Sequence, residues 1–200
     1  MTDDAALKPR KRPAQARSRA TVAALLEAGA QVLERDGLDG FNTNRVAARA
    51  GVSVGSLYQY FPNKRALLVA LIEQAQTELR DGFAAVATGG GLESDMRGLL
   101  AVAIRHQTAR PMLARALDEA ERRLPVDDEL ATSAATIRAA VLDLLLRHRD
   151  RLDPSDDVAQ VATDLVLIGH ALIDAVDDDI GLEARAMRAL LGYLRPRAAR

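Results

Sequence analysis

The chain has 200 residues, of which 48% are hydrophobic and 28% charged, with a net charge of −1, which is the composition of a globular protein able to bury a substantial core. It contains no cysteine, which excludes disulfide bonds, thiolate metal sites and a cysteine nucleophile. No segment approaches the roughly 20 apolar residues of a membrane span, and the basic start lacks the apolar core of a secretory signal, so we expect a cytoplasmic protein.

Basic residues are concentrated in the first third of the chain. Residues 1–64 hold ten Lys and Arg against six Asp and Glu, a net charge of +4, whereas the remainder holds 17 against 22, a net charge of −5. Six of the cations lie within residues 8–19 with no acidic residue among them, so residues 1–17 are predicted to be a disordered basic arm. Such an arm either keeps the protein in solution or contacts DNA, and the sequence leaves both possibilities open.

Apolar periodicity predicts three helices before Pro62. The first covers roughly residues 19–36 and ends at Gly37, since glycine suits a left-handed helix end. The second is about two turns long and ends at Gly51, and the third runs from Val54 to Phe61, because proline disfavours a helical residue before it. The side chains assigned to the core of these helices are Phe41, Val46, Leu57 and Phe61.

A long fourth helix is predicted after Asn63, which can cap it, and it fades into the glycine run at residues 89–91. Five further helices are predicted at about residues 93–108, 111–123, 128–150, 156–177 and 182–194. No segment alternates as a strand does, so we predict an all-α fold of about nine helices. After the basic arm, residues 18–66 would form a first domain and residues 67–200 a second.

The second and third helices have the spacing of a helix-turn-helix. Ala47 lets the helices approach, Gly51 takes the positive φ of the turn, and Leu57 fills the core beneath the third helix. The run GVSVGSLYQYFPNKRALL at residues 51–68 closely resembles the DNA-binding signature of the TetR family of bacterial regulators, and the resemblance extends back to about Arg19. It implies a homodimer whose paired helix-turn-helix units read a palindromic operator, released when a small molecule enters the helical core.

The resemblance also implies roles for individual side chains of the helix-turn-helix. The positions that face base edges in the family match Asn44, Val54, Gly55 and Gln59. A glutamine at residue 59 suits a bidentate contact with adenine, and Val54 suits a thymine methyl group. The position of Tyr60 is often histidine in relatives, which is a departure from the family pattern. The positions that bind phosphates match Asn42, Thr43, Ser53, Ser56, Tyr58, Tyr60 and Lys64.

Two arginines on the outer face of the second helix, Arg45 and Arg49, either face solvent or clamp a phosphate. The sequence favours neither role.

The last two helices carry apolar stripes too extensive for lone surface helices. We predict that they form a four-helix interface between two subunits, which is also where the resemblance places the dimer contact. Burial within one subunit is the alternative. The predicted interface residues are Val161, Leu165, Ile168, Leu172, Met187, Leu190, Leu191 and Leu194.

A ligand pocket is expected among helices four to eight. It would be aliphatic rather than a stacking cage, because only Phe83 and Tyr193 are aromatic beyond the helix-turn-helix. His170 and Asp174 are one turn apart and could simply pair. No histidine pair has ligand spacing, so we expect no metal and no cofactor. The candidate polar anchors, each with an ordinary core or surface role as its alternative, are Arg105, His106, Gln107, Asp164 and His170.

These features predict a ligand-responsive repressor that binds double-stranded DNA as a homodimer. An activator or a regulator without a small ligand fits the same features. An all-α enzyme is disfavoured, because the chain offers no phosphate-binding loop after a strand and no serine with a partnered histidine. A helical scaffold that binds only protein is the remaining alternative.

Overall fold

The computed structural model describes residues 16–124, 132–174 and 181–194. These residues form nine α-helices and a 3-10 helix at Arg149–Arg151, and they contain no strand, so the predicted all-α class is confirmed. None of these helices is long and apolar enough to cross a bilayer. The α-helices are α1 (Ala16–Gly40), α2 (Thr43–Ala50), α3 (Val54–Tyr60), α4 (Lys64–Ala84), α5 (Leu92–Thr108), α6 (Pro111–Arg123), α7 (Ser133–Arg147), α8 (Val158–Asp174) and α9 (Leu182–Tyr193).

Several helix ends lie where the sequence signals predict them. Gly37 has φ 65° and ψ −178°, so the regular part of α1 ends there and only a short turn continues to Gly40. Gly51 ends α2 with φ 68°, in the left-handed region that favours glycine. The Asn63 side chain caps α4, because its Oδ1 accepts a hydrogen bond from the Ala66 amide at 2.8 Å.

Other helix ends differ from the prediction because of polar caps that periodicity does not reveal. α7 begins at Ser133, since the Thr132 hydroxyl accepts a hydrogen bond from the Ala135 amide at 3.1 Å. Asp157 does the same for the Ala159 amide at 3.0 Å, so α8 begins two residues later than predicted. α1 begins at Ala16, and the rest of the predicted basic arm lies outside the described residues.

The chain folds into two compact units. Of the described residues, unit one comprises 16–75 and 110–124, and unit two comprises 76–109, 132–174 and 181–194. The helix α4 contributes its first half to unit one and its second half to unit two. The helix α6 belongs to unit one, whereas the predicted domain boundary after residue 66 would place it in the second domain. That boundary between a DNA-binding and a ligand-binding domain stays a prediction.

The core of unit one is apolar and includes every residue that the sequence assigns to it. Phe41, Val46, Leu57 and Phe61 are each at most 1% exposed, as predicted. The helix α6 packs against α1, and ion pairs hold both of its ends. Arg110 donates to Glu34 at 2.7 Å, and Arg123 donates to Asp39 at 2.8 Å.

Unit two has its own core, built from α5, α7, α8 and α9, and one buried polar contact joins α4 to α7. Gln76 is 2% exposed, and its Nε2 donates to the Ser133 hydroxyl at 2.7 Å. The Thr136 hydroxyl donates to the Gln76 Oε1 at 2.8 Å. Both ends of the carboxamide are therefore engaged, as a polar group buried in an apolar core requires.

The predicted subunit-interface residues divide into two sets. Val161, Leu165, Met187 and Leu190 are buried in the core of unit two, as the alternative of burial within one subunit supposes. A side chain must be accessible on one subunit before it can contact a second subunit. These four side chains therefore do not form an intersubunit surface in this conformation. The other four are partly buried: Ile168, Leu172, Leu191 and Leu194.

Candidate nucleic-acid interface

The short helix α3 has one buried and one accessible side. Leu57 is fully buried beneath it, while Tyr58 is 40% exposed and Gln59 is also exposed. Val54 is half-buried at the start of the helix. An α-helix with its side chains is about 10–12 Å in diameter, which fits a major groove about 12 Å wide, and the seven residues of α3 extend over about 10 Å.

Gly55 lies on the accessible side of α3 with open space around it. A Cβ atom at this position would meet only the Ser53 Oγ, at an ordinary 3.8 Å. Gly55 is not among the glycines with positive φ, so neither the backbone nor a packed neighbour requires glycine here. Of the predicted base-reading residues outside α3, Asn44 is exposed on α2.

Serine hydroxyls fix the start of α3. The Ser53 Oγ accepts a hydrogen bond from the Ser56 amide at 3.0 Å, which caps the helix. The Ser56 hydroxyl lies 2.8 Å from the same oxygen. The two predicted phosphate-binding serines are therefore brought together in one hydrogen-bonded pair.

Both tyrosines of α3 make hydrogen bonds to earlier helices. The Tyr58 hydroxyl lies 3.1 Å from the Thr43 Oγ1, and Thr43 is itself buried. The Tyr60 hydroxyl accepts a hydrogen bond from Ser18 at 3.4 Å. Asn42 caps α2, since its Oδ1 accepts from the Arg45 amide at 3.0 Å. Four predicted phosphate-binding residues thus have structural contacts as well.

Lys64 is the first residue of α4, and its ammonium group contacts Leu38 and Phe41. The Nζ donates to the Leu38 carbonyl at 3.2 Å and lies 5.8 Å from the centre of the Phe41 ring. An ammonium has three donors, so this hydrogen bond leaves others for a phosphate. The side chain is exposed, which is compatible with such a contact.

The two arginines of α2 contact α1. The Arg45 guanidinium donates to Asp36 at 3.0 Å, and the Arg49 Nε donates to Gln31. Hydrogen bonds from Arg35 and then Arg45 lower the pKa of Asp36 to about 2. The structure therefore gives both arginines a role in holding α2 on α1.

Unit two contains a cavity of about 230 Å³ within the region expected from the sequence, among helices four to eight, but other residues line it. None of the five predicted pocket residues lines it. Arg105 and His170 are exposed, and His106 and Gln107 are half-buried. The residues around the cavity are Phe83, Ala84, Val86, Thr88, Asp95, Leu99, Ala140, Asp143 and Arg147.

Two of the predicted polar anchors have partners elsewhere on α8 and α9. Asp164 accepts hydrogen bonds from the Tyr193 hydroxyl and from Gln160, and both contacts lower the pKa of the carboxyl group. The His170 Nδ1 lies 2.9 Å from Asp174, so the pairing considered from the sequence is confirmed. Within residues 16–124, 132–174 and 181–194, no three His, Asp or Glu side chains cluster as a metal site would need.

Comparison with known proteins assigns residues 25–71 to a sequence family described as bacterial regulatory proteins, tetR family. The transcriptional repressor DrrR1 of Streptomyces coeruleorubidus is 30% identical over 132 residues, covering 61% of this chain and 48% of the relative. The DNA-binding transcriptional repressor TetR of Mycobacteroides abscessus is 34% identical over 96 residues, covering 48% and 49%. The chain therefore spans about half the length of the curated relatives it matches.

The fold is similar to that of a solved bacterial regulator. A TetR-family transcriptional regulator from Streptomyces coelicolor superimposes with a TM-score of 0.62, covering 88% of this chain and 99% of that one at 24% identity. At that identity the likeness shows the fold, while the matched sequence of residues 25–71 carries the assignment of the DNA-binding domain. Residues 25–71 thus resemble the tetR family of bacterial regulatory proteins, and that match is confined to this part of the chain.

Proposed function

We propose that this protein is a ligand-responsive transcriptional repressor that binds a palindromic operator as a homodimer and leaves it when a small inducer binds. One observation carries the proposal: α3 buries Leu57 and leaves Gln59, Tyr58 and Gly55 accessible on the opposite side. Two relatives whose names state transcriptional repression support the sign of regulation. Such a repressor would act in the cytoplasm, where bacterial DNA is found.

Sequence choice would come from three side chains and one glycine. The exposed carboxamide of Gln59 suits a bidentate contact with the N6 and N7 atoms of adenine, worth about 1–3 kcal/mol of discrimination. Val54 suits a thymine methyl group, and Asn44 reaches the groove from α2. The open space at Gly55 lets the DNA come close to the helix backbone.

Affinity would come from contacts to phosphates on both sides of the groove. The exposed Tyr58 hydroxyl, held by Thr43, and the exposed Lys64 ammonium are the best-placed donors. Contacts of this kind fix the register of a protein on DNA and carry little sequence information. The remaining proposed phosphate-binding residues are Asn42, Thr43, Ser53, Ser56 and Tyr60.

The second subunit would pack on the accessible faces of α8 and α9. Leu167 is 63% exposed on α8, and Tyr193 is exposed on α9. Ala171 and Gly192, also exposed, are small enough to allow close approach of two helices. A two-fold axis relating the copies would present two α3 helices to half-sites about one helical turn apart, and a palindrome follows from that symmetry.

Release would depend on α4. This helix begins at Lys64, beside the proposed DNA contacts, and its second half belongs to unit two. An inducer that binds two conformations of unit two with different affinity shifts their populations. A shift carried along α4 changes the distance between the two α3 helices, so one half-site is lost.

The test is selection of bound duplexes from a random DNA pool, followed by fluorescence anisotropy and light scattering. We expect a symmetric motif, bound by one dimer per duplex. A Leu167→Glu variant should be monomeric and lose the palindrome. Leu146→Glu, which changes a leucine of similar exposure on α7, should remain dimeric. An asymmetric motif, or no enrichment at all, would contradict the proposal.

A further inference from the structure

The cavity in unit two combines apolar walls with one buried carboxylate. It lies among the end of α4, the loop that follows, the start of α5 and the second half of α7. Phe83, Val86 and Leu99 give it an apolar interior. Its volume of about 230 Å³ is below the roughly 300–1,000 Å³ of pockets for drug-sized ligands, so its occupant is a compact molecule.

Asp95 supplies the carboxylate and is only 2% exposed. Its oxygens accept hydrogen bonds from the amides of Gly89 and Gly90, each at 3.3 Å, and from the His148 Nε2 at 3.0 Å. The hydrogen bond from His148, together with those from the two amides, lowers the pKa of this carboxyl group. Asp95 therefore carries a negative charge at neutral pH inside the wall of the cavity.

The other charged residues around the cavity neutralise one another. Asp143 and Arg147 form an ion pair across one turn of α7, and both are exposed. Asp95, hydrogen-bonded to His148, is thus the acidic group that an occupant meets away from solvent. A carboxylate offers about four acceptor positions, and the three donors above leave one for a ligand.

We propose that this cavity binds a small organic cation, an ammonium or amidinium group on a compact apolar body, and that such a compound is the inducer. The cationic group would donate a hydrogen bond to Asp95. The apolar body would lie against the side chains of Phe83 and Leu99. A carboxylate ligand is disfavoured, because it would place a second negative charge beside Asp95. The inducer half of this inference, that the bound cation releases the protein from DNA, rests on the proposed function. The binding half, that the cavity binds such a cation, does not.

Binding is tested first, on the full chain without DNA, by isothermal titration calorimetry. Benzylammonium is the probe, and benzyl alcohol and benzoate are its neutral and anionic counterparts of similar size. We expect benzylammonium to bind at least tenfold more tightly than either counterpart. Equal binding of the three probes, or no binding of benzylammonium at millimolar concentration, would overturn the proposal.

Variants locate the site. Asp95→Asn removes the charge, and Ala140→Leu fills the cavity without changing any charge, so each should weaken benzylammonium binding at least tenfold. The matched control is Asp150→Asn, which removes an exposed carboxylate of unit two that does not line the cavity and should change affinity by less than twofold. Should Ala140→Leu leave benzylammonium binding unchanged, the ligand lies elsewhere and the assignment to the cavity is wrong.

The inducer half is tested by anisotropy with the selected duplex. Benzylammonium should weaken DNA binding by the wild-type protein and have little effect on Ala140→Leu. Binding of the probe without any change in DNA affinity would overturn its role as an inducer. Failure of the wild-type protein to bind any duplex would instead contradict the proposed function, and the calorimetric result would stand independently.

Discussion

Gly55 offers a sharp test of the DNA-binding surface, because its replacement should move stability and DNA affinity in opposite directions. In Gly55→Ala the new Cβ meets only the Ser53 Oγ at 3.8 Å, so the folded protein accommodates it. Alanine is favoured over glycine in helices by up to about 1 kcal/mol. Gly55 is the second residue of α3, so we expect about half of that gain, which raises the Tm by roughly 1–2 °C.

The same methyl group would stand between α3 and the bases. Overpacking a close contact costs about 1–3 kcal/mol, which corresponds to a loss of operator affinity of roughly 5- to 150-fold. Thermal unfolding and fluorescence anisotropy measure the two effects on one preparation. Gly55→Val extends the series, since a larger side chain should lower affinity further. Should Gly55→Ala bind the selected duplex as tightly as the wild type, the close approach of DNA to α3 is refuted.

Three further predictions concern other parts of the chain. Gln59→Ala should relax choice at one base pair per half-site, whereas Lys64→Ala should weaken binding to all duplexes and reduce the salt slope by about one, both measured by anisotropy. Asp36 has a folded pKa of about 2, below its ordinary 3.8, so its stabilising effect is complete above about pH 4 and is lost as the pH falls toward 2. Asp36→Asn should therefore be less stable than the wild type in urea at pH 7 and equal to it near pH 2. Gln76→Leu should cost about 2 kcal/mol in urea unfolding, since two hydrogen bonds are lost, and adding Thr136→Val should recover part of it, because no buried hydroxyl is then left unpaired.

The helices could be predicted because their signals are local. Apolar spacing, Gly37, Gly51 and Pro62 each act within a few residues, and they delimit the first three helices to within about three residues. Leu57 and Gln59 could be assigned to opposite sides of α3 for the same reason, since helical geometry fixes directions along seven residues. The resemblance of residues 51–68 to a known DNA-binding signature then implied which side chains face bases and which bind phosphates.

The contacts of unit two could not be predicted, because they depend on distant parts of the chain. Asp95 follows the glycine run by only a few residues, yet its partner His148 is 53 residues away. Val161 and Leu165 read as interface residues because periodicity shows that a helix face is apolar but not which surface covers it. Only the packed structure distinguishes an inner face, against α7, from an outer one that bears Leu167.

Several side chains proposed to contact phosphates already make hydrogen bonds within the protein, which bears on how the DNA affinity arises. Tyr58 is bonded to Thr43, Ser53 to Ser56, and Lys64 to the Leu38 carbonyl. Ordering a flexible side chain on binding costs about 0.5–1.5 kcal/mol, and that cost is reduced where the side chain is held beforehand. In the proposed complex, a preorganised frame around α3 would favour tight binding to any duplex of the right shape, and the choice among such duplexes would fall to Gln59 and the other proposed base-facing residues.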